Sequence, residues 1–124
     1  MITGTGVDII EISRIRSAMN NWSSFAARVF TGAEQDYCRS AACSDQRFAG
    51  RFAAKEAIAK ALGTSLSWTD VEILPGESGK PCVHLHNKAA EVAAGRSVMV
   101  SISHCRSYAV AHAIVESRDS AWVS

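Results

Sequence analysis

Two isolated acids stand out by their surroundings. Asp8 lies in Gly6-Val7-Asp8-Ile9-Ile10-Glu11, among β-branched residues, and Glu56 lies inside the alanine-rich run Phe52-Ala53-Ala54-Lys55-Glu56-Ala57. A carboxylate in an apolar strand is costly unless a cation, a proton or hydrogen-bond donors compensate it. Asp8 is therefore a candidate metal ligand; the plain alternative is a strand-end acid bonded to backbone amides or to an arginine. On a helix, Lys60 falls one turn beyond Glu56, with Ala49, Phe52 and Ala59 as angular neighbours, while Arg47, Arg51 and Lys55 form a basic stripe on the other side. On a wet surface Glu56 and Lys60 would be an ordinary pair worth about 0.2–0.5 kcal/mol. Amid apolar flanks they can instead hold a metal and a phosphate. Asp8 and Glu56 together would suit Mg²⁺, which takes one or two protein carboxylates and completes its shell with water and phosphate.

Other chemistry-bearing residues are weaker signals. His104, where a strand becomes a turn in Ser101-Ile102-Ser103-His104-Cys105, can contact a phosphate or move a proton, or be an ordinary turn residue. Gly79-Lys80-Pro81 offers an anion backbone and ammonium donors, or is a solvated turn. Cys82, His84 and His86 share one strand face, but with Cys105 their spacing matches no standard four-ligand zinc arrangement; His84 and His86 are expected to face solvent and His112, between alanines, to pack. Arg14, Arg16, Arg28, Arg47 and Arg51 could make a basic patch for RNA, without the interleaved aromatics that would strengthen that reading. No phosphate-binding glycine loop, dinucleotide fingerprint or nucleophile elbow occurs.

The elements that must position these residues follow from pattern. Ile2 to Glu11 is rich in β-branched residues and predicts a buried strand. Ser13 can cap a helix carrying Ile15 and Met19. Thr31-Gly32-Ala33-Glu34 has capping-box spacing and predicts a helix to about Ala42. Ser44 or Asp45 is expected to cap the next helix, which runs to Leu62 and stops at Gly63. Val71–Leu74 and Cys82–His86 predict strands around a turn from Pro75 to Pro81. Asn87 is a candidate cap for a short helix ended by Gly95. Ser97 to Ser103 and Tyr108 to Val115 predict a hairpin across His104-Cys105-Arg106-Ser107. This order points to an α+β fold: a small antiparallel sheet packed with helices, including one long alanine-rich helix.

The 124 residues suit a single domain, and 48% hydrophobic content suffices for a core without disulfides. The net charge of +1 supplies no global field toward nucleic acid or membrane. No apolar run approaches the roughly 20 residues of a spanning helix, and Met1-Ile2-Thr3-Gly4 lacks a signal-peptide layout, so a cytoplasmic location is expected. The four cysteines form no C-x-x-C pair and read as free thiols, mostly buried. The polar tail from Glu116 to Ser124 is expected to fray, with Trp122 able to dock.

Gly6-Val7-Asp8-Ile9-Ile10-Glu11, Phe48-Ala49-Gly50-Arg51-Phe52-Ala53-Ala54-Lys55-Glu56-Ala57 with Lys60, Gly79-Lys80-Pro81 and Ser101-Ile102-Ser103-His104 occur in an order and spacing that resemble the holo-acyl-carrier-protein synthase family of 4′-phosphopantetheinyl transferases. The resemblance spans nearly the whole chain, and the long central motif is its most specific part. It implies transfer of phosphopantetheine from coenzyme A to a serine of apo-acyl carrier protein, with release of adenosine 3′,5′-bisphosphate, in support of fatty-acid biosynthesis. It implies Mg²⁺ on Asp8 and Glu56, and Lys60 on the coenzyme phosphates. His104 would serve the coenzyme from a neighbouring subunit, near its 3′-phosphate; Arg51, Gly79, Lys80 and Pro81 would add coenzyme contacts. Glu56 is the first choice to accept the serine proton. The family's short members are homotrimers with sites between subunits. Arg14 is the best-matched residue for docking the acidic carrier, with Arg16 and Arg28 near apolar Ile15, Met19 and Phe25.

Cys105 departs from the pattern, where a small hydroxyl residue is expected after the histidine. Two other classes compete: a non-catalytic coenzyme-binding module, which would have little need of Asp8, Glu56 and Lys60 together, and a small RNA-binding domain, whose affinity would fall steeply with salt.

Overall fold

The longest element is the alanine-rich helix α4 (Ser44–Leu62), and its surroundings explain its composition. The structure, a computed structural model, describes residues 1–118 of the chain; Trp122 lies outside them. In chain order the elements are β1 (Ile2–Glu11), α1 (Ile12–Asn21), α2 (Phe25–Val29), α3 (Gly32–Arg39), α4, β2 (Val71–Pro75), β3 (Pro81–Leu85), α5 (Asn87–Ala93), β4 (Ser97–His104) and β5 (Tyr108–Glu116). All strand pairing is antiparallel, in two sheets rather than one: a three-stranded sheet ordered β1-β5-β4 and the hairpin β2-β3.

Helix α4 lies across the three-stranded sheet, which accounts for its small side chains. Ala53, Ala57 and Ala61 meet Ala111, Ala113 and Val115 of β5 in one core cluster. Phe48 and Ala49 join Ile12, Ile15, Val29 and Phe30 in a second. A helix buried on most of its surface has no single apolar stripe.

Several expectations change on contact with tertiary structure. Strand β1 is an edge strand, not one buried on both faces: Gly4, Gly6, Asp8 and Ile10 face α4, whereas Val7 and Ile9 are 57% and 63% exposed. Helix α1 begins at Ile12 after Glu11, so Ser13 is inside it. The capping box at Thr31 and Glu34 forms as expected, but α3 ends at Arg39. Cys43 precedes α4 in place of Ser44 or Asp45, while Gly63 closes it with φ +77°. Asn87 is not a cap; its amide donates to Asp70 Oδ1 at 3.0 Å. Glu116 belongs to β5, opposite Ile2. Only Cys38 is buried, and burial pushes its thiol up to about 11; Cys43, Cys82 and Cys105 are exposed. His112 is exposed, because the flanking alanines take the inward face of β5.

Candidate active site at the β1–α4 contact

Glycines let β1 approach α4 at van der Waals range. A Cβ on Gly4 would lie 2.0 Å from the Ala61 carbonyl oxygen, and one on Gly6 would lie 2.1 Å from that of Ala57. Alternation along the strand puts Asp8 on this same inward face, two residues beyond Gly6. Asp8 thus reaches the last turns of α4. Lys60 Nζ donates to Asp8 Oδ1 at 3.2 Å and to the Val7 carbonyl at 3.0 Å. Glu56, half-buried one turn earlier, has its pKa raised above the ordinary carboxylate value, first by burial and then by the Asp8 charge, with Lys60 opposing. Two carboxylates and one ammonium therefore share a single electrostatic neighbourhood. The sequence pairs Lys60 with Glu56; the structure pairs it with Asp8.

A cleft of about 550 Å³ opens beside this cluster. Glu56, Ala59 and Lys60 form its helical side, and residues 63–68 form its wall. The donor set fits Mg²⁺: two hard oxygen ligands whose mutual repulsion a divalent cation would relieve, with room for phosphate and water. Among the described residues no group of three or more His, Cys, Asp or Glu is placed to hold a metal, so the protein offers these two carboxylates, not a complete cage. The zinc arrangement considered for Cys82, His84 and His86 finds no support in that geometry: Cys82 and His84 are exposed, and His86 Nε2 lies 3.1 Å from Glu72 Oε1.

Residues 4–113 match the model of the 4′-phosphopantetheinyl transferase superfamily. The holo-[acyl-carrier-protein] synthase of Koribacter versatilis is 44% identical over 94% of this chain and 99% of its own. That of Moorella thermoacetica is 48% identical over 90% and 92%. The crystal structure of the Bacillus anthracis holo-(acyl-carrier-protein) synthase in complex with CoA (3′,5′-ADP) superposes with a TM-score of 0.80 at 35% identity, covering 94% of this chain and 98% of that one. The Plasmodium yoelii synthase gives 0.85 at 31%, covering 96% and 98%. The chain belongs to the 4′-phosphopantetheinyl transferase superfamily.

The remaining candidate residues of this phosphopantetheinyl transferase lie apart from the cleft within one chain. Arg51 is only 6% exposed; its Nε has no hydrogen-bond partner among the described residues, and its Cζ sits 4.5 Å from the Tyr37 ring centroid. Arg47 approaches the same ring at 4.2 Å. Lys55 is buried, so the expected basic stripe is not a solvated face. With Arg16 paired to Asp45 at 2.7 Å, the five-arginine patch considered for RNA is broken up. Gly79 and Lys80 lie at the tip between β2 and β3, with Gly79 at φ +80° and Lys80 exposed, and Pro81 opens β3 opposite Pro75. His104 is exposed at the end of β4, opposite Ala109 and two residues beyond Ile102, which shares the level of Asp8 across β5.

On α1 of the transferase, Arg14 borders a groove of about 400 Å³ with Ile15, Trp22, Phe25 and Phe52. Phe52 was not legible as part of this surface, because it comes from α4 and meets this segment only in the fold. Glycines 4 and 6 were likewise missed as site-forming residues; their alternation with Asp8 was the available signal.

Proposed function

We propose that the protein transfers the 4′-phosphopantetheine group of coenzyme A to a serine of apo-acyl carrier protein and releases adenosine 3′,5′-bisphosphate. The convergence of Asp8, Glu56 and Lys60 beside an open cleft carries this reading. Asp8 and Glu56 would hold Mg²⁺, which when bound neutralises pyrophosphate charge and makes phosphorus more electrophilic. The serine oxygen forms a bond to the phosphorus bearing the pantetheine arm as the pyrophosphate P–O bond breaks. Glu56, on the helical side of the cleft, is the first choice to accept the serine proton. Lys60, with its side chain 55% exposed, meets the charge that grows on the leaving phosphate.

The same reading makes Arg51, Gly79, Lys80, Pro81 and His104 coenzyme contacts. It makes the protein one domain acting as a homotrimer with sites between subunits. Two observations support the trimer. His104 is exposed and is not among the residues lining its own chain's cleft, as suits a residue serving a neighbour. The outer face of the three-stranded sheet leaves Val7, Ile9, Met99 and Tyr108 exposed, an apolar surface that a second copy would cover. Arg14 and the apolar groove beside it are the dock for an acidic carrier helix. No helix among the described residues is long and apolar enough to cross a membrane; work in the cytoplasm, in support of fatty-acid biosynthesis and without nucleic acid or membrane as partner, completes the proposal.

The test combines protein, coenzyme A, Mg²⁺ and apo-acyl carrier protein and weighs the carrier by mass spectrometry. A gain of one phosphopantetheine, abolished by chelation and cut by orders of magnitude in Asp8→Ala or Glu56→Ala, is the expected result. Wild-type rates in both variants would remove the metal assignment.

A further inference from the structure

Lys55 adjoins Glu56 on α4 yet takes no part in the carboxylate cluster. Its side chain is 1% exposed and that of Glu34 is fully buried. All three ammonium hydrogens have acceptors: Glu34 Oε1 at 2.8 Å, the Trp68 carbonyl at 2.8 Å and the Val71 carbonyl at 2.5 Å. Glu34 accepts in addition from the Thr31 amide at 2.9 Å and the Ile73 amide at 2.8 Å. One ion pair thus ties together the start of α3, the middle of α4, the start of β2 and the turn at Trp68–Asp70.

The two carbonyls that Lys55 grips belong to cleft-lining residues. That wall has little regular structure of its own. The Thr64 amide bonds back to Ala59 and the Asp70 amide to Ser67, and the Trp68 ring stacks on Phe52 at 4.9 Å. An apolar pair of similar volume often matches a buried ion pair in stability. Only an ammonium supplies several directed donors that fix two carbonyls at once.

We propose that the Glu34–Lys55 pair is a positioning device for the cleft, holding the Trp68–Val71 backbone at a set distance from Glu56 before coenzyme enters. Lys55 and Glu34 are positioning residues, not catalytic ones, and the inference rests on the coenzyme A reading above. Of the two lysines near Glu56, Lys60 is exposed and keeps one hydrogen for a phosphate beyond its bonds to Asp8 and Val7, whereas Lys55 has none left to offer.

The test has two arms run together. In the first, the double variant Glu34→Gln with Lys55→Met removes both buried charges. Its KM for coenzyme A should rise about tenfold while kcat stays within about twofold, because ground-state positioning is lost and the chemical groups remain. A folded double variant with wild-type KM would overturn the proposal. In the second, hydrogen exchange is measured on the wild-type protein with and without coenzyme A. The Asp70 and Val71 amides should be protected in the free protein and change less than about twofold on binding, as a preset wall requires. Amides that exchange freely until coenzyme is added would overturn it too, whether or not the variant folds. A wild-type protein that transfers nothing from coenzyme A would instead sink the proposed function, and the exchange of the free protein would still report on the tether.

Discussion

The Lys60 ammonium lies 3.2 Å from Asp8 Oδ1, so the end of α4 is tied to the middle of β1 across 52 residues of sequence. The pair is half open to water, and an exposed ion pair contributes no more than about 1 kcal/mol. Lys60→Met should therefore change urea-unfolding stability by less than about 1 kcal/mol. The same variant should lower kcat/KM for carrier modification about 10²–10³-fold, the usual cost of losing one charge-stabilising donor. A large stability loss with an intact rate would assign Lys60 to structure alone.

Glu56 gives the site a pH signature. Its folded pKa is raised above 4.5 by burial and by Asp8, against the pull of Lys60. In the window just above 4.5 the folded protein binds more protons than the unfolded chain, so this contribution to stability falls as pH rises and returns on acidification. In thermal melts without divalent cation, the advantage of wild type over Glu56→Gln should be greatest below that window and shrink through it. Saturating Mg²⁺ should remove the decline. Transfer activity should run the other way, rising through the same window as the carboxylate forms.

Gly6 tests the strand–helix contact. A methyl group there would lie 2.1 Å from the Ala57 carbonyl and 2.8 Å from the Ala61 amide, both backbone atoms that cannot rotate aside. Gly6→Ala should cost at least about 1–3 kcal/mol by chemical denaturation and reduce activity in the protein that still folds. Gly32→Ala, which meets nothing within 4 Å at the start of α3, should be neutral or slightly stabilising.

The open sheet face tests assembly. Val7→Glu combined with Ile9→Glu places two charges on residues that are 57% and 63% exposed in one chain. The folded monomer tolerates charge there, and a subunit interface does not. Sedimentation should show the wild type as a trimer and the variant as a monomer with unchanged far-UV circular dichroism. Transfer activity should fall with the loss of the trimer. A wild type that sediments as a monomer would remove the inter-subunit role of His104.

Features set by neighbouring residues were legible in the sequence: the capping box at Thr31 and Glu34, the Gly63 stop, the β2–β3 turn and the β4–β5 hairpin. Asp8, Glu56 and Lys60 could be picked out because each is a charge in apolar company. What escaped depends on partners far along the chain. The openness of β1 follows from its pairing with β5. The burial of Lys55 follows from Glu34, which local spacing spends on the α3 cap. Asn87 reads as a cap until Asp70 arrives to take its amide. Lys60 chose Asp8 over Glu56 because two glycines let the strand come close, and no helical periodicity encodes that approach.

Glu34 also bears on how the chain reaches its native state. Its carboxylate caps α3 locally, but its remaining partners are Lys55 and the Ile73 amide, 21 and 39 residues downstream. Until those arrive the acid must keep its hydration shell, so the first turn of α3 cannot dry out by itself. Dehydration of this one side chain therefore couples the docking of α3 to that of α4 and β2.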